Sequence, residues 1–135
     1  MAMDYERLAR DTYAAYNPHD IEKFLSLHTD DVVVESVVAN AVVVHGKQEL
    51  RAVENAYFAA FSGLKMEITS CFAFGNRQCE EWIFVGKHTG DFMGIPATGK
   101  SLLVRGVSIR EFREGKTSKI SHYYDLATFM QQLGV

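Results

Sequence analysis

The chain has 135 residues and a mass of 15.2 kDa, a size that fits one domain over residues 1–135 burying roughly two thirds of its unfolded surface. A net charge of −3, with no densely basic stretch, argues against nucleic-acid binding. No run approaches the roughly eighteen apolar residues that span a bilayer, and the N-terminal MAMDYERLARDTYAAYN lacks the basic start and apolar core of a signal peptide, so a cytoplasmic protein is expected.

Asp4 is placed to cap a first helix in which Tyr5, Leu8, Ala9, Thr12 and Tyr16 fall on one stripe. Asn17-Pro18 then restarts the chain, with Asn17 as N-cap, Pro18 in the first turn and Asp20 facing the positive helix end. The second helix presents Ile21, Phe24, Leu25 and His28, and the two read as a helical hairpin. The β-branched run Val32 to Val38 predicts a strand, and Ala41 to His45 a short hairpin arm or extended return. Lys47 to Ser62 reads as a third helix burying Leu50, Val53, Tyr57, Phe58 and Phe61, with Gly63 as C-cap.

From Lys65 the apolar period changes to two. Gly75-Asn76 turns the chain back through Cys79 to His88. Cys71 and Cys79 lie on facing strands; a cross-strand disulfide and two plain buried thiols both remain open. No Cys/His spacing resembles a zinc site, and no glycine loop that would cradle a phosphate precedes a helix, so no metal, nucleotide or flavin is expected.

Trp82 and Phe84 share one face of their strand and Ile83 and Val85 the other; Val107 and Ile109 likewise oppose Gly106 and Ser108. Faces that are apolar on both sides need two covers: helices on one, and a second copy on the other, giving a homodimer built sheet to sheet. Glu114-Gly115 closes a hairpin into the last strand, where Ile120, His122 and Tyr124 share a face. Burying Ile120 therefore carries His122 inside. Asp125 is placed to cap a final short helix with Leu126, Phe129, Met130 and Leu133 on one side and Gly134 as its stop. Helices first and antiparallel strands after predict an α+β domain, with three N-terminal helices packed in the concave face of a curved sheet and a short C-terminal helix.

The run GKHTGDFMGIPATGK at residues 86–100, followed after the hairpin by DLATFMQQLG at 125–134, resembles the SnoaL-like polyketide cyclases, or ester cyclases, of the nuclear-transport-factor-2-like cone fold. The similarity is densest over residues 82–134 and continues more weakly from about residue 8. It implies a cone-shaped mixed or antiparallel sheet with a ligand pocket at its mouth, and, in the characterised cyclases, an aspartate on the last strand as general acid/base. At that place, counted from the hairpin glycine Gly115, stands His122, while the family's second carboxylate is kept as Asp125. An imidazole can take a proton near neutral pH without the perturbation a carboxylate needs. Asp125 reads either as its catalytic partner or as a helix cap.

By the same resemblance, Tyr16 at the end of the first helix and Trp82 are either pocket walls or core. Glu35 with Ser36 after the valine run stands where a polar pocket group falls, Glu35 being either a buried acid/base or a solvated edge residue. Tyr124 joins the pocket by sharing the face of His122. Gly106 and Ser108 replace polar groups of the neighbouring strand, which enlarges the cavity and thins the donors that would hold an oxyanion. His88 is expected to fix its loop to its strand, Arg105 and Arg110 either to reach a ligand carboxylate or to snorkel at the rim, and His19, His28 and His45 have no visible partner. Three functions follow. The first is a cofactor-independent enzyme that removes a proton α to a carbonyl of a small apolar compound, with His122 as base and Ser108, Tyr16 or water at the oxyanion, for aldol ring closure or isomerisation. The second is a non-catalytic ligand-binding or dimerisation module. The third is hydrolysis as in epoxide-hydrolase relatives, for which only Glu35, Arg105 and Asp125 are available.

Overall fold

A computed structural model describes residues 4–38 and 42–134. Its elements run α1 (Tyr5–Tyr16), α2 (Ile21–Ser26), β1 (His28–Ser36), β2 (Val43–His45), α3 (Gly46–Ala60), β3 (Phe61–Phe74), β4 (Arg77–His88), β5 (Ser101–Arg113), β6 (Lys116–Tyr124) and α4 (Leu126–Leu133). The six strands form one curved, unclosed sheet in the order β2-β1-β6-β5-β4-β3, antiparallel except for the parallel β1/β6 pair. The fold is therefore the expected α+β arrangement with a mixed sheet. Among the described residues no helix is long and apolar enough to cross a membrane.

Asp4 caps α1 by accepting from the Arg7 amide at 3.0 Å, and α1 turns Ala9, Thr12, Tyr13 and Ala15 inward. The next helix starts later than its sequence suggests. Asp20, not Asn17, is the N-cap of α2, accepting from Lys23 N at 3.1 Å, while the Asn17 amide pairs in both directions with the backbone of Met66 at 2.8 Å. A side chain that bridges to a strand is no longer free to cap, so Pro18 falls in the connecting turn. His28 lies in β1, not on α2.

Helix α3 ends at Ala60 without a glycine, because Phe61 is already extended (φ −125°) and opens β3. Gly63 sits inside β3 at φ 63°, within a break in the β3/β4 register. The Glu114-Gly115 turn is a two-residue hairpin loop with both residues at positive φ, 53° and 78°. Ala41 lies outside the described residues; its neighbours at Val43–His45 pair antiparallel with β1. Cys71 stands opposite Glu80 and Cys79 opposite Phe72, so neighbouring residues of the ladder send the two sulfurs to opposite faces, and both thiols are free.

The core has two parts. Tyr13, Phe61, Leu64, Trp82, Phe84, Phe92, Leu102, Val104, Phe129 and Leu133 pack α1, β3, β4, β5 and α4 together, while Ala15, Phe24, Leu25, Val32, Val34, Val44, Leu50 and Ile120 pack α2 and α3 onto β1 and β6. Past the end of β6, the Gln132 side chain of α4 takes over the free edge of β5, bonding Leu103 N at 2.8 Å and Leu103 O at 2.9 Å.

Candidate active site

Three neighbouring strands build the inner wall. Register sets Glu80 against Ser108, Trp82 against Gly106, Ser108 against His122, and Gly106 against Tyr124, and β1 brings Ser36 alongside His122. Alternate residues of a strand share a face, so Glu80, Trp82, Gly106, Ser108, Arg110, His122 and Tyr124 point together toward the helices. Tyr13 and Tyr16 of α1 and Glu54 and Tyr57 of α3 come from the opposite side, close enough for Glu54 to act electrostatically on Tyr16 and Tyr57, and for Tyr57 to act on Tyr124.

The wall carries a hydrogen-bonded row. Trp82 Nε1 donates to Ser108 Oγ at 2.7 Å, and Ser108 Oγ lies 2.7 Å from His122 Nδ1. Gly106 makes room for it: a Cβ there would lie 2.4 Å from Cη2 and Cζ2 of the indole. The glycine therefore seats Trp82 and does not enlarge a cavity. Ser108, fully buried between two partners, has no lone hydroxyl to offer an oxyanion. Burial, aided by the positive charge of Arg110, pushes the His122 imidazole down to about 4, so the ring is neutral at pH 7.

Beneath this row lies an ion pair that the sequence places at the rim. Arg110 donates through Nε and Nη2 to the two carboxylate oxygens of Glu80 at 2.7 and 3.0 Å and through Nη1 to Thr117 Oγ1 at 2.9 Å, with its guanidinium 5.9 Å from the Tyr13 ring centre. The two side chains are 3% and 0% exposed, and such complete pairing is what makes buried charges tolerable. His28 is buried nearby. Its Nδ1–H donates to Phe24 O at 2.8 Å, and burial holds the ring down to about 3.

Glu54 was not singled out from the sequence. Burial pushes its carboxyl up to about 7, against the opposing pull of the Tyr16 hydroxyl, and Tyr16 is itself raised well above an ordinary phenol by burial and by Glu54. Tyr57 is raised too, chiefly by burial.

The remaining expected residues lie elsewhere. Glu35 faces the convex side, accepting from Ser121 Oγ at 2.7 Å, and the residue on the inner face is Ser36. Asp125 is an exposed N-cap of α4, with its oxygens 3.0 Å from Thr128 N and 2.6 Å from Thr128 Oγ1. Arg105 is exposed on the convex face of β5. His88 holds its loop as anticipated: Nδ1 accepts from Thr98 N at 3.3 Å. Two surface concavities, of about 540 Å³ beside Gly63, Leu103 and Gln132 and about 320 Å³ beside Asp31, Arg113 and Lys116, lie away from His122. Among the described residues no group of three His, Cys, Asp or Glu side chains is arranged to hold a metal ion.

A sequence model of the SnoaL-like polyketide cyclase family matches residues 6–133. No curated protein matches the sequence. TsrD from Streptomyces laurentii superposes with a TM-score of 0.85 at 20% identity over 98% of each chain. A candidate polyketide cyclase from Xanthomonas campestris pv. campestris gives 0.85 at 18% identity over 95% of each chain. IdmH, a candidate polyketide cyclase from Streptomyces antibioticus, gives 0.82 at 21% identity, covering 98% of this chain and all of that one. At such identities these likenesses establish the fold.

Proposed function

The chain belongs to the SnoaL-like polyketide cyclase family, and on that premise we propose that it performs cofactor-independent acid/base chemistry on a small apolar carbonyl compound held between the helices and the inner wall of the sheet. A proton leaves the carbon α to the carbonyl, the resulting enolate is held by hydrogen-bond donors, and it closes a ring by aldol addition or reprotonates as an isomer. One observation carries the reading: the His122 imidazole, at the strand position of the family's acid/base, stands on the inner wall 2.7 Å from Ser108 Oγ with the Trp82 ring centre 6.5 Å away and Tyr124 on the same face. Donors aimed at a developing oxyanion are typically worth about 3 kcal/mol each.

The convex face bears Ile83, Val107 and Ile109, half-buried, with Leu103 and Tyr123 48% and 45% exposed, and this apolar surface is the proposed homodimer interface. Two free thiols suit a reducing compartment such as the cytoplasm.

A ligand-binding module without turnover is the second reading, favoured by the Ser108 hydroxyl being already engaged on both sides. The epoxide-hydrolase-like reading loses its residues, since Glu35 and Arg105 face outward and Asp125 caps α4. Trp82 fluorescence, screened against aromatic ketones, terpenoids and steroids, tests for binding. His122→Ala then separates the readings: an enzyme loses turnover while still binding, and a binding module changes affinity alone.

A further inference from the structure

We infer that Ser108, with the indole N–H of Trp82 behind it, is a positioning residue: it holds the His122 ring by Nδ1 and leaves Nε2 as the nitrogen presented to the substrate. The inference rests on the carbonyl-compound reading above, and it gives Ser108 a role other than the expected oxyanion donor.

Adjacent strands fix the ring step by step. Gly106 has no Cβ, and the indole of Trp82, opposite it on β4, fills the space. Seated there, the indole directs Nε1–H, which can only donate, onto Ser108 Oγ at 2.7 Å. The serine oxygen is thus fixed by a partner other than His122, on a side chain with no exposure of its own. Register places His122 across the β5/β6 ladder, and its Nδ1 closes to 2.7 Å from that oxygen. The indole also stands edge-on to the imidazole, with ring centres 6.5 Å apart and planes at 82°, and so buttresses it from the side.

The other nitrogen is unengaged. Among the described residues no protein group bonds Nε2 of His122, and the residue keeps part of its surface open while Ser108 keeps none. The torsion about Cβ–Cγ of a histidine is broad and two-fold. A ring free to make that half-turn would exchange Nδ1 with Cδ2 and carry Nε2 to its other side. The 2.7 Å contact at Nδ1 opposes the turn. A hydroxyl suits this place because it is two-way. Oγ has one hydrogen and two lone pairs, and Trp82 uses one lone pair. What remains can serve Nδ1 as donor or as acceptor, so the contact survives whether Nε2 carries a proton or has given it up. When Nδ1 carries the hydrogen, that of the hydroxyl turns toward Glu80, which stands across the β4/β5 ladder and keeps lone pairs beyond those on Arg110.

A positioning role and a direct one leave different traces. If Ser108 only aims the ring, removing its hydroxyl leaves the substrate's apolar contacts in place and misdirects Nε2, and a misplacement of about an ångström costs on the order of a hundredfold in rate. If Ser108 touched the substrate oxygen itself, activity would fall while the His122 ring stayed as it was.

The test has two arms on the whole chain. Nitrogen-15 NMR of labelled histidine, assigned with His122→Gln, reads the two ring nitrogens. Ser108→Ala is expected to move the His122 signals in the free protein, Trp82→Phe to move them less and in the same direction, and 1-tetralone added to wild type to shift Nε2 more than Nδ1. Signals that ignore Ser108→Ala, or a ketone that acts on Nδ1, overturn the inference. The second arm follows deuterium entry α to the carbonyl of 1-tetralone in D2O. Ser108→Ala should lower kcat about a hundredfold with KM within about threefold, and Ser108→Thr, which keeps the hydroxyl, should recover about tenfold of the loss. A loss that falls on KM, or on kcat with the His122 signals unmoved, overturns the positioning role; should the threonine variant not fold, the Trp82→Phe signals and its smaller fall in kcat decide the same point. If Ser108→Ala moves the ring signals but 1-tetralone neither shifts nor exchanges in wild type, the carbonyl-compound reading is overturned, while the hold of Ser108 on Nδ1 stands.

Discussion

Substituting Gly106→Ala puts one methyl group where the indole of Trp82 lies. The new Cβ would be 2.4 Å from Cη2 and Cζ2 and 2.8 Å from the backbone oxygen of Tyr123. The backbone contact cannot be relieved by a rotamer, and the indole must retreat by about an ångström to reach ordinary contact distance. That retreat breaks the 2.7 Å bond from Trp82 Nε1 to Ser108 and leaves a buried N–H without its partner. Overpacking costs about 1–3 kcal/mol and an unpaired buried donor about 1–3 kcal/mol; with partial relaxation, about 3 kcal/mol is expected. An unfolding entropy of about 0.28 kcal/mol/K for 135 residues converts this to a Tm lower by about 10 °C, read by calorimetry or circular dichroism. The double variant Gly106→Ala/Trp82→Phe should lose less than the two single losses together, because the shorter ring no longer meets the methyl. A fall below about 2 °C for Gly106→Ala, or strict additivity in the double variant, would refute the claim that the glycine exists to seat the indole.

Glu80→Gln leaves the Arg110 guanidinium charged and unmatched in the interior and should cost about 3–5 kcal/mol in denaturant unfolding, far more than any single exposed pair such as Arg10–Glu6. Stability should also fall on mild acidification. As pH drops from about 6.5 toward 4.5, His28 and His122, held down to about 3 and about 4, stay unprotonated in the folded chain while the unfolded chain takes up both protons, whereas Glu54, raised to about 7, makes the folded chain the better proton binder. The net is one more proton in the unfolded state, a slope on the order of 1 kcal/mol per pH unit in that window, and Glu54→Gln should steepen it. Unfolding midpoints that are flat across pH 4.5–6.5 would show that these rings titrate normally. Light scattering should give twice the chain mass of 15.2 kDa, and Val107→Asp on the convex face should return a folded monomer; a wild-type monomer at micromolar concentration rules out the sheet-to-sheet dimer.

Much of the inner wall was readable from residue types alone, because period-two alternation on β6 admits only one way to bury Ile120, and that way brings His122 and Tyr124 with it. The Glu114-Gly115 turn and the Asp125 cap were equally local. Glu35 was misplaced for a definite reason: Val32, Val33 and Val34 give β1 no phase, since either alternation buries valine, and only pairing with β6 decides that Ser36 faces inward. The end of α3 was misread because the helix passes straight into an extended Phe61 and no glycine marks the change. Glu54 was invisible because an acidic residue in a helix of mixed charge reads as solvated; only the approach of α1, which brings the Tyr16 hydroxyl to it, makes it a half-buried carboxyl. Arg110 shared the parity of Ser108, but the depth of β5 at which it finds Glu80 depends on register across two hairpins.

A crystal structure with an aromatic ketone bound bears most directly on the central claim. The account predicts the ketone oxygen within hydrogen-bond distance of the His122 imidazole and its ring against the inner wall beside Trp82 and Tyr124. Density for the ketone only on the convex face, or an inner wall closed by side chains with no room beside His122, would contradict it.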